Sequence, residues 1–526
     1  MPPKLPKRPG LPHGTSYDTT GPFREKLYDC SEWLQSTVYK EIATIEDEWE
    51  IVDPNDAQKF LPESKPPRKL KLGIKEQREF EMSQFESVSL NQVMQYKRGH
   101  VINVGSSVWG LGFAPKNPLE ESQITTQYLA VAGYKGAEEE SHHFSEVQPR
   151  GSYKNCIQLW RLELTVQGEQ AVDPVLDVCI LHDFGIVRDL KWCPYGAYEE
   201  STTCDIQWLP KLGILGVVFG DDTTQMIVVP HPQALRKHLG QSPDDQKQTI
   251  YLRLKKSRAT LSVPGAAPTC VSWGGPKKIS TGYDNGYIAV WDAQTILQLP
   301  EKDVQESLYF CAPIHETVVR CIAWHGYKDP VHFVSCGNDS HIKLTDYRDP
   351  WASIPLQRSR TTSLFEVAFM GFDESVCFQD SDKSIRSQPV RSTGALQGTK
   401  QTTGKTTMLS IAGSEMHPFY LLAFADGWVN ISNLHFIKDR KAVDCQFAYK
   451  LDYDEVNDVY RYVDGIPPKT IEQIMKDIPS LNIPNRRLAV QKAVWCPNGE
   501  MCGWAATACA NGLCRVEFLG RGTGWK

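Results

Sequence analysis

The chain has 526 residues, 41% of them hydrophobic and 10% aromatic, which supplies apolar surface for a large core and excludes wholesale disorder. A formal net charge of −6 gives no overall attraction to nucleic acid, so any DNA contact has to be local. No run approaches the roughly 18 uncharged apolar residues of a membrane span. Met1 to Gly14 carries basic residues and prolines with no hydrophobic stretch behind them, so we expect a soluble protein with no secretory signal and no membrane partner. Residues 1–85 begin Pro- and Lys-rich, continue through a predicted helix around Ser31 to Ala43 and an acidic stretch from Glu41 to Asp56, and end on a basic one from Lys65 to Lys75. This composition predicts a mostly flexible tail with a short docking helix.

The ring is expected over residues 86–526, and from about residue 108 to the C-terminus one module repeats: an apolar strand ending in an aromatic, a second apolar strand, a tight polar turn and an alternating third strand. The first strand reads Val108-Trp-Gly-Leu-Gly-Phe113, and then Val187-Arg-Asp-Leu-Lys-Trp192. It recurs as Thr269-Cys-Val-Ser-Trp273, Val319-Arg-Cys-Ile-Ala-Trp324, Leu364-Phe-Glu-Val-Ala-Phe369, Met408-Leu-Ser-Ile-Ala412 and Ala489-Val-Gln-Lys-Ala-Val-Trp495, seven copies in all. Turns such as Asp284-Asn-Gly286, Asn338-Asp339 and Asn511-Gly512 suit tight hairpins, because Asn, Asp and Gly tolerate positive φ. The third strand is plainest at Tyr287-Ile-Ala-Val-Trp291-Asp292. Short apolar runs bounded by turn residues fit strands covered on both faces, as inside a blade stacked between neighbours.

The pattern resembles the WD repeat, whose name survives literally only at Trp291-Asp292, and the fold predicted is an all-β, seven-bladed β-propeller. In that family a His, a Ser or Thr, the turn Asp and the Trp form a buried relay. His315, Ser335 and Asp339 stand at those positions of one module, but Thr345 replaces its Trp. Trp192, Trp273, Asp284, Trp291 and Trp495 likewise read as structural repeat positions. The seventh module ends just after Cys514-Arg-Val-Glu-Phe518, so a strand within Asn91 to Val104 is expected to supply its fourth strand and close the ring. Insertions at 134–154, 233–255 and 435–487 interrupt the blades, the last with a predicted helix from Pro468 to Asp477 and an extra strand at Leu451 to Asp454. Loops on a rigid ring often carry function.

Catalysis finds no support. Gly398-Thr-Lys-Gln-Thr-Thr-Gly404-Lys405-Thr406 has one residue too many between its glycines for a P-loop and is followed by a strand pattern, so it reads as a loop between blades. His315-Glu316 lacks a second His four positions on, and no Gly-x-Ser-x-Gly elbow occurs. Fifteen cysteines without any Cys-x-x-Cys pair read as buried, reduced core residues rather than zinc ligands, and His142-His143 reads as a solvated loop. No cofactor is expected. The local nucleic-acid candidates are Arg68, Lys69 and Lys71 before the ring, Arg253, Lys255, Lys256 and Arg258 in an insertion, and Lys4, Lys7 and Arg8 in the tail.

Several phrases are more specific than a generic repeat: Val108-Trp-Gly-Leu-Gly-Phe-Ala-Pro115, His182-Asp-Phe-Gly185, Leu190-Lys-Trp-Cys-Pro-Tyr-Gly-Ala197, Val229-Pro-His-Pro-Gln-Ala-Leu235 and Asp346-Tyr-Arg-Asp-Pro350. With Val494-Trp-Cys-Pro497 and Gly512-Leu-Cys-Arg-Val-Glu517 they resemble the WD-propeller subunit of transcription factor TFIIIC over most of residues 100–520. The resemblance implies a nuclear, non-enzymatic scaffold in the subcomplex that recognises the B-box of tRNA-type promoters for RNA polymerase III. It also implies pairing with a second propeller subunit and with the large B-box-binding subunit, and promoter DNA reached through the complex. The tail is short and nearly balanced in charge, unlike the longer basic extension of many members. The alternatives are another nuclear adaptor that reads peptides or chromatin proteins, and a module that binds DNA itself.

Overall fold

The computed structural model describes residues 38–519 apart from residues 43, 45, 75, 96, 117–123, 138–141, 143–145, 166–171, 201–208, 242–246, 300–302, 327–328, 359–363, 372–373, 391–398, 434–443 and 477–483. The chain is mostly β, 52% strand against 9% helix, in a propeller arrangement with six blades recognised where the repeats predict seven. The described strands form seven hydrogen-bonded sheets.

Each sheet begins on one of the apolar-to-aromatic strands: Val108–Phe113, Val187–Trp192, Pro268–Gly274, Val319–Trp324, Ala368–Met370, Met408–Ala412 and Val490–Trp495. These inner strands pack on one another in series, Ser375–Gln379 makes the step from the fifth sheet to the sixth, and the last strand returns to the first. The third sheet shows the build most simply. Pro268–Gly274, Lys278–Tyr283, Tyr287–Asp292 and Leu308–Pro313 pair antiparallel in sequence order. Gly286 turns the middle hairpin at φ +87°. Lys278–Tyr283 is buried along its whole length, as a strand covered on both faces must be.

The seventh sheet takes its fourth strand from far upstream. Gly99–Asn103 pairs antiparallel with Leu513–Phe518, from Asn103 opposite Leu513 to Gly99 opposite Glu517, and Ser87–Ser89 adds outside it. Both strands of this clasp are buried throughout, so the pairing closes an edge that would otherwise be open.

Residues 46 to 89 are built onto the ring, which corrects the expectation of a flexible tail for that part. Trp49–Ile51 pairs with Ile250–Leu254, itself laid parallel on Val175–His182 as a fifth strand of the first sheet. Arg68–Leu72 runs parallel to Val459–Val463 at the rim of the sixth sheet, with Arg78–Met82 outside it. The reason lies in the alternation: Leu70, Leu72 and Met82 are fully buried while the basic side chains between them point outward, and Phe60 and Leu61 enter the core beside the first and seventh sheets. Farther upstream, the amides of Val38 and Tyr39 donate to the Gly196 carbonyl and Tyr39 is fully buried. The helix expected around Ser31 to Ala43 falls mainly outside the described residues, as do Lys4, Lys7 and Arg8.

The insertions also supply regular structure. Residues 233–255 hold most of the helix Pro232–His238 and the strand Ile250–Leu254. Residues 435–487 hold the long strand Asp444–Asp454, the strand Val459–Val463 and the helix Ile471–Lys476. The segment that imitates a P-loop is a strand, Thr399–Thr403, the outermost of the fifth sheet, and not the loop expected.

Candidate interaction surface and central cavity

The tryptophans that end the inner strands staple sheet to sheet. The indole N–H of Trp192 donates to the Gly112 carbonyl at 3.0 Å, that of Trp273 to Lys191 at 3.0 Å and that of Trp495 to Ala412 at 3.1 Å, each one inner strand back around the ring. Trp324 instead reaches the Ser280 hydroxyl at 3.0 Å. Each indole thereby buries its ring and satisfies its donor, the two requirements of an interior tryptophan. Gly274 lies so close under Trp324 that a Cβ would approach the ring to 2.8 Å, so glycine is required there for the neighbouring sheets to meet.

At one end of the ring these strand ends surround a cavity of about 330 Å³. Phe113, Trp192, Trp273, Trp324, Phe369 and Trp495 are its aromatic walls, and Lys116, Lys191, Lys492, Glu366 and Glu415 are the charged residues that line it. Deep in the ring, Lys492 of the last inner strand stands 3.6 Å from Asp189 of the second and 3.9 Å from Glu366, just before the fifth. Burial alone would depress the Lys492 ammonium, but Glu366 and Asp189 outweigh it and hold the pKa above its ordinary value. Each carboxylate also accepts a backbone amide from the following inner strand: Asp189 from Val271 at 3.1 Å and Glu366 from Ile411 at 3.0 Å.

In the fourth sheet His315 Nδ1 lies 2.9 Å from Asp339 Oδ2 and its Nε2 lies 2.8 Å from the Ser335 hydroxyl. Burial pushes the Asp339 carboxyl up, but the hydrogen bond and charge of His315 with the amides of His341 and Glu316 overcome it and hold the pKa at about 2. Thr345, in place of the tryptophan, turns to the Ser353 hydroxyl at 2.9 Å. The literal Trp-Asp shows the reverse. Trp291 is fully buried, but its indole N–H has no acceptor among the described residues, and Asp292 caps the helix Ala293–Gln298 through the Thr295 amide. Asp284 accepts the Ala267 amide at 3.0 Å, a turn-tightening role.

The structure places the two basic runs on different sheets. Arg258 is an internal ion pair, its guanidinium bidentate on Glu48 at 2.6 and 3.2 Å, which pins the upstream segment to the ring. Arg253 lies between Glu50 at 3.5 Å and Asp183 at 3.9 Å. Arg68 stands over the Tyr460 ring and Lys71 pairs with Glu79 at 3.5 Å. Lys69, Lys255 and Lys256 are exposed. The two runs therefore do not converge into one patch, and their arginines are committed to the protein's own carboxylates and rings. The sequence gives no sign of this, since Glu48 and Arg258 are 210 positions apart.

Sequence reasoning also missed a buried charge cluster at the clasp. Arg515 is 1% exposed and meets Asp464 at 2.7 and 3.1 Å and Glu517 at 2.8 and 2.9 Å, with Tyr449 and Tyr462 against its guanidinium. Lys97 adds pairs to Asp464 at 3.5 Å and to Glu517. Although burial opposes ionisation, Arg515 and Lys97 keep the Asp464 carboxyl below its usual range. The cluster joins the sixth-sheet insertion, the last strand and the approach to the clasp strand.

The thirteen described cysteines are thiols rather than disulfides, and burial pushes those of Cys496 and Cys514 up to about 12, far from the reactive thiolate. Among the described residues no group of three or more His, Cys, Asp or Glu could hold a metal ion, and no helix is long and apolar enough to cross a membrane.

The class defined by these features is a β-propeller whose polar residues largely brace its own sheets. No known family profile matches the chain. It is 26% identical over 433 residues to transcription factor tau subunit sfc6 of Schizosaccharomyces pombe, covering 80% of this chain and 65% of that protein. General transcription factor 3C polypeptide 2 of Homo sapiens is 30% identical over 282 residues, 49% of this chain and 29% of the human protein. The transcription factor tau 91 kDa subunit of Saccharomyces cerevisiae is 24% identical over 391 residues, 72% and 52% of the two chains. The chain is a homologue of these TFIIIC subunits and spans 65% or less of the length of each.

Proposed function

We propose that this chain is a non-catalytic scaffold subunit of TFIIIC that acts in the nucleus and helps assemble the B-box-recognising subcomplex for RNA polymerase III transcription of tRNA-type genes. The observation that carries the reading is the homology to TFIIIC subunits over as much as 80% of the chain. In this reading each of the seven sheets is a blade, residues 86–526 form the propeller, and the insertions and the segment ahead of the clasp are the surfaces offered to a second propeller subunit and the large B-box-binding subunit. DNA is reached chiefly through those partners, because Arg253 and Arg258 already face carboxylates. A direct contact through the basic runs falls mainly to Lys69, Lys255 and Lys256, with Arg68 and Lys71 beside them.

The test is affinity purification of the tagged chain from nuclear extract with crosslinking and mass spectrometry. The expected result is stoichiometric recovery of other TFIIIC subunits, with crosslinks concentrated on residues 134–154, 233–255 and 435–487. Recovery of a chromatin-reading or unrelated assembly in their place would refute the proposal.

A further inference from the structure

We propose that the aromatic-walled cavity at the end of the ring is an anchoring site for an acidic–apolar peptide segment of a protein partner, whose carboxylate enters between Lys191 and Lys492. The inference does not depend on the TFIIIC reading, since it rests on the cavity alone.

Three observations carry it. First, the cavity contains unspent hydrogen-bond donors. Lys492 approaches its two carboxylates only at 3.6 and 3.9 Å, too far for a hydrogen bond. The side chain of Lys191 has no hydrogen bond or ion pair among the described residues, although its carbonyl serves the Trp273 staple.

Second, the lining carries more lysines than carboxylates, Lys116, Lys191 and Lys492 against Glu366 and Glu415. Glu366 gives Oε2 to the Ile411 amide, and Asp189, behind the wall, gives Oδ2 to Val271 while its Oδ1, without a hydrogen bond, faces Lys492 at 3.6 Å. Lys191 has no carboxylate of its own among the described residues, and an added carboxylate would complete it by a charge-assisted bond in a partly desolvated site.

Third, the walls choose the form of the acid. The indole N–H groups of Trp192, Trp273, Trp324 and Trp495 are consumed by the staples, so the rings present apolar surface. A volume of about 330 Å³ accommodates one or two side chains beside the acid, and apolar side chains would gain from that surface. A free small dicarboxylate offers the charge without the apolar part.

Two fluorescein-labelled peptides test the proposal with the full chain at low salt, Gly-Glu-Phe-Asp-Leu-Glu-Gly and its counterpart with lysine at every acidic position, with glutarate as a competitor. Anisotropy reports binding, and emission from the wall tryptophans reports where it occurs. The acidic peptide is expected to bind and shift the tryptophan emission, and the basic one to do neither. Lys191→Gln should weaken the acidic peptide about tenfold, and Lys191→Glu should reverse the preference. Lys492 also braces the ring, so Lys191, which makes no structural contact through its ammonium, is the deciding position. Failure of the acidic peptide to bind at about 1 mM, equal binding of both peptides, or indifference to Lys191→Glu would overturn the assignment. Competition by glutarate as strong as by unlabelled peptide would overturn the peptide and leave a small-acid site.

Discussion

Replacing Arg515 with Leu removes the centre of the buried cluster at the clasp, and the structure sets the size of the effect. The substitution leaves Asp464 and Glu517 buried with only Lys97 between them, two negative charges against one positive. Breaking a buried pair by deleting one partner costs about 3–5 kcal/mol, mostly because the remaining charge is stranded. The loss of the guanidinium between Tyr449 and Tyr462 adds to it. The companion variant Arg515→Leu/Asp464→Leu leaves Glu517 and Lys97 as a balanced pair, so it should recover at least about 1–2 kcal/mol of the single variant's loss, although it alters one more residue. Urea denaturation followed by tryptophan fluorescence reads both, with limited proteolysis to locate the first opening. A loss under about 1 kcal/mol for Arg515→Leu, or a double variant weaker than the single, would refute the argument that stranded charge sets the cost.

Acid should weaken the fold before most carboxylates titrate. Burial holds the pKa of His182 at about 3 and that of His417 at about 4, so both are neutral when folded, whereas unfolded histidine takes a proton near pH 6.5. The unfolded state then binds more protons below about pH 6.5, and stability falls with pH until the folded values are passed, by about 1.4 kcal/mol per group at pH 5.5. Thermal unfolding between pH 7.5 and 5 checks this, and a His182→Phe variant should show a shallower slope. Gly286→Ala should destabilise the third sheet by more than about 1 kcal/mol, because the residue sits at φ +87° and a Cβ would meet the His315 carbonyl at 2.1 Å; calorimetry would show a lowered Tm. Arg258→Ala should release the segment around Glu48 and speed proteolytic cleavage between residues 38 and 62, with the ring left intact. Unchanged cleavage would mean that the pairing of Trp49–Ile51 holds the segment without the ion pair.

The inner strands were legible because each ends in an aromatic after an apolar run, a pattern that follows from packing around a common axis. The clasp was legible because an odd edge had to be filled. The strands Arg68–Leu72 and Ile250–Leu254 were not: Arg68, Lys69 and Lys71 dominate the first, while burial follows its leucines, and Arg253 in the second groups with Lys255, Lys256 and Arg258 just beyond the strand. Both therefore read as charged runs and as candidate DNA contacts, although the alternation Leu70, Leu72 and Ile250, Leu252, Leu254 was present. The partners of Arg258 and Lys492, and the Asp464 partner of Arg515, lie at sequence separations that no periodicity encodes, so the charge clusters that brace the ring emerge only with the fold. The only literal Trp-Asp proved a poor guide, since the relay forms in the sheet that lacks the tryptophan.

The clasp also orders events in time. Gly99–Asn103 leaves the ribosome about 410 residues before Leu513–Phe518, an interval of roughly 20 to 80 s at ordinary synthesis rates. Throughout it, the edge of Gly99–Asn103 that faces away from Ser87–Ser89 has no mate, and that edge has to stay unpaired or be shielded until its partner is made. A chaperone or partner subunit that holds the upstream segment during that interval would control how much of the chain closes correctly, and a nonsense mutation even a few codons before Leu513 would leave every preceding sheet made but the circle open.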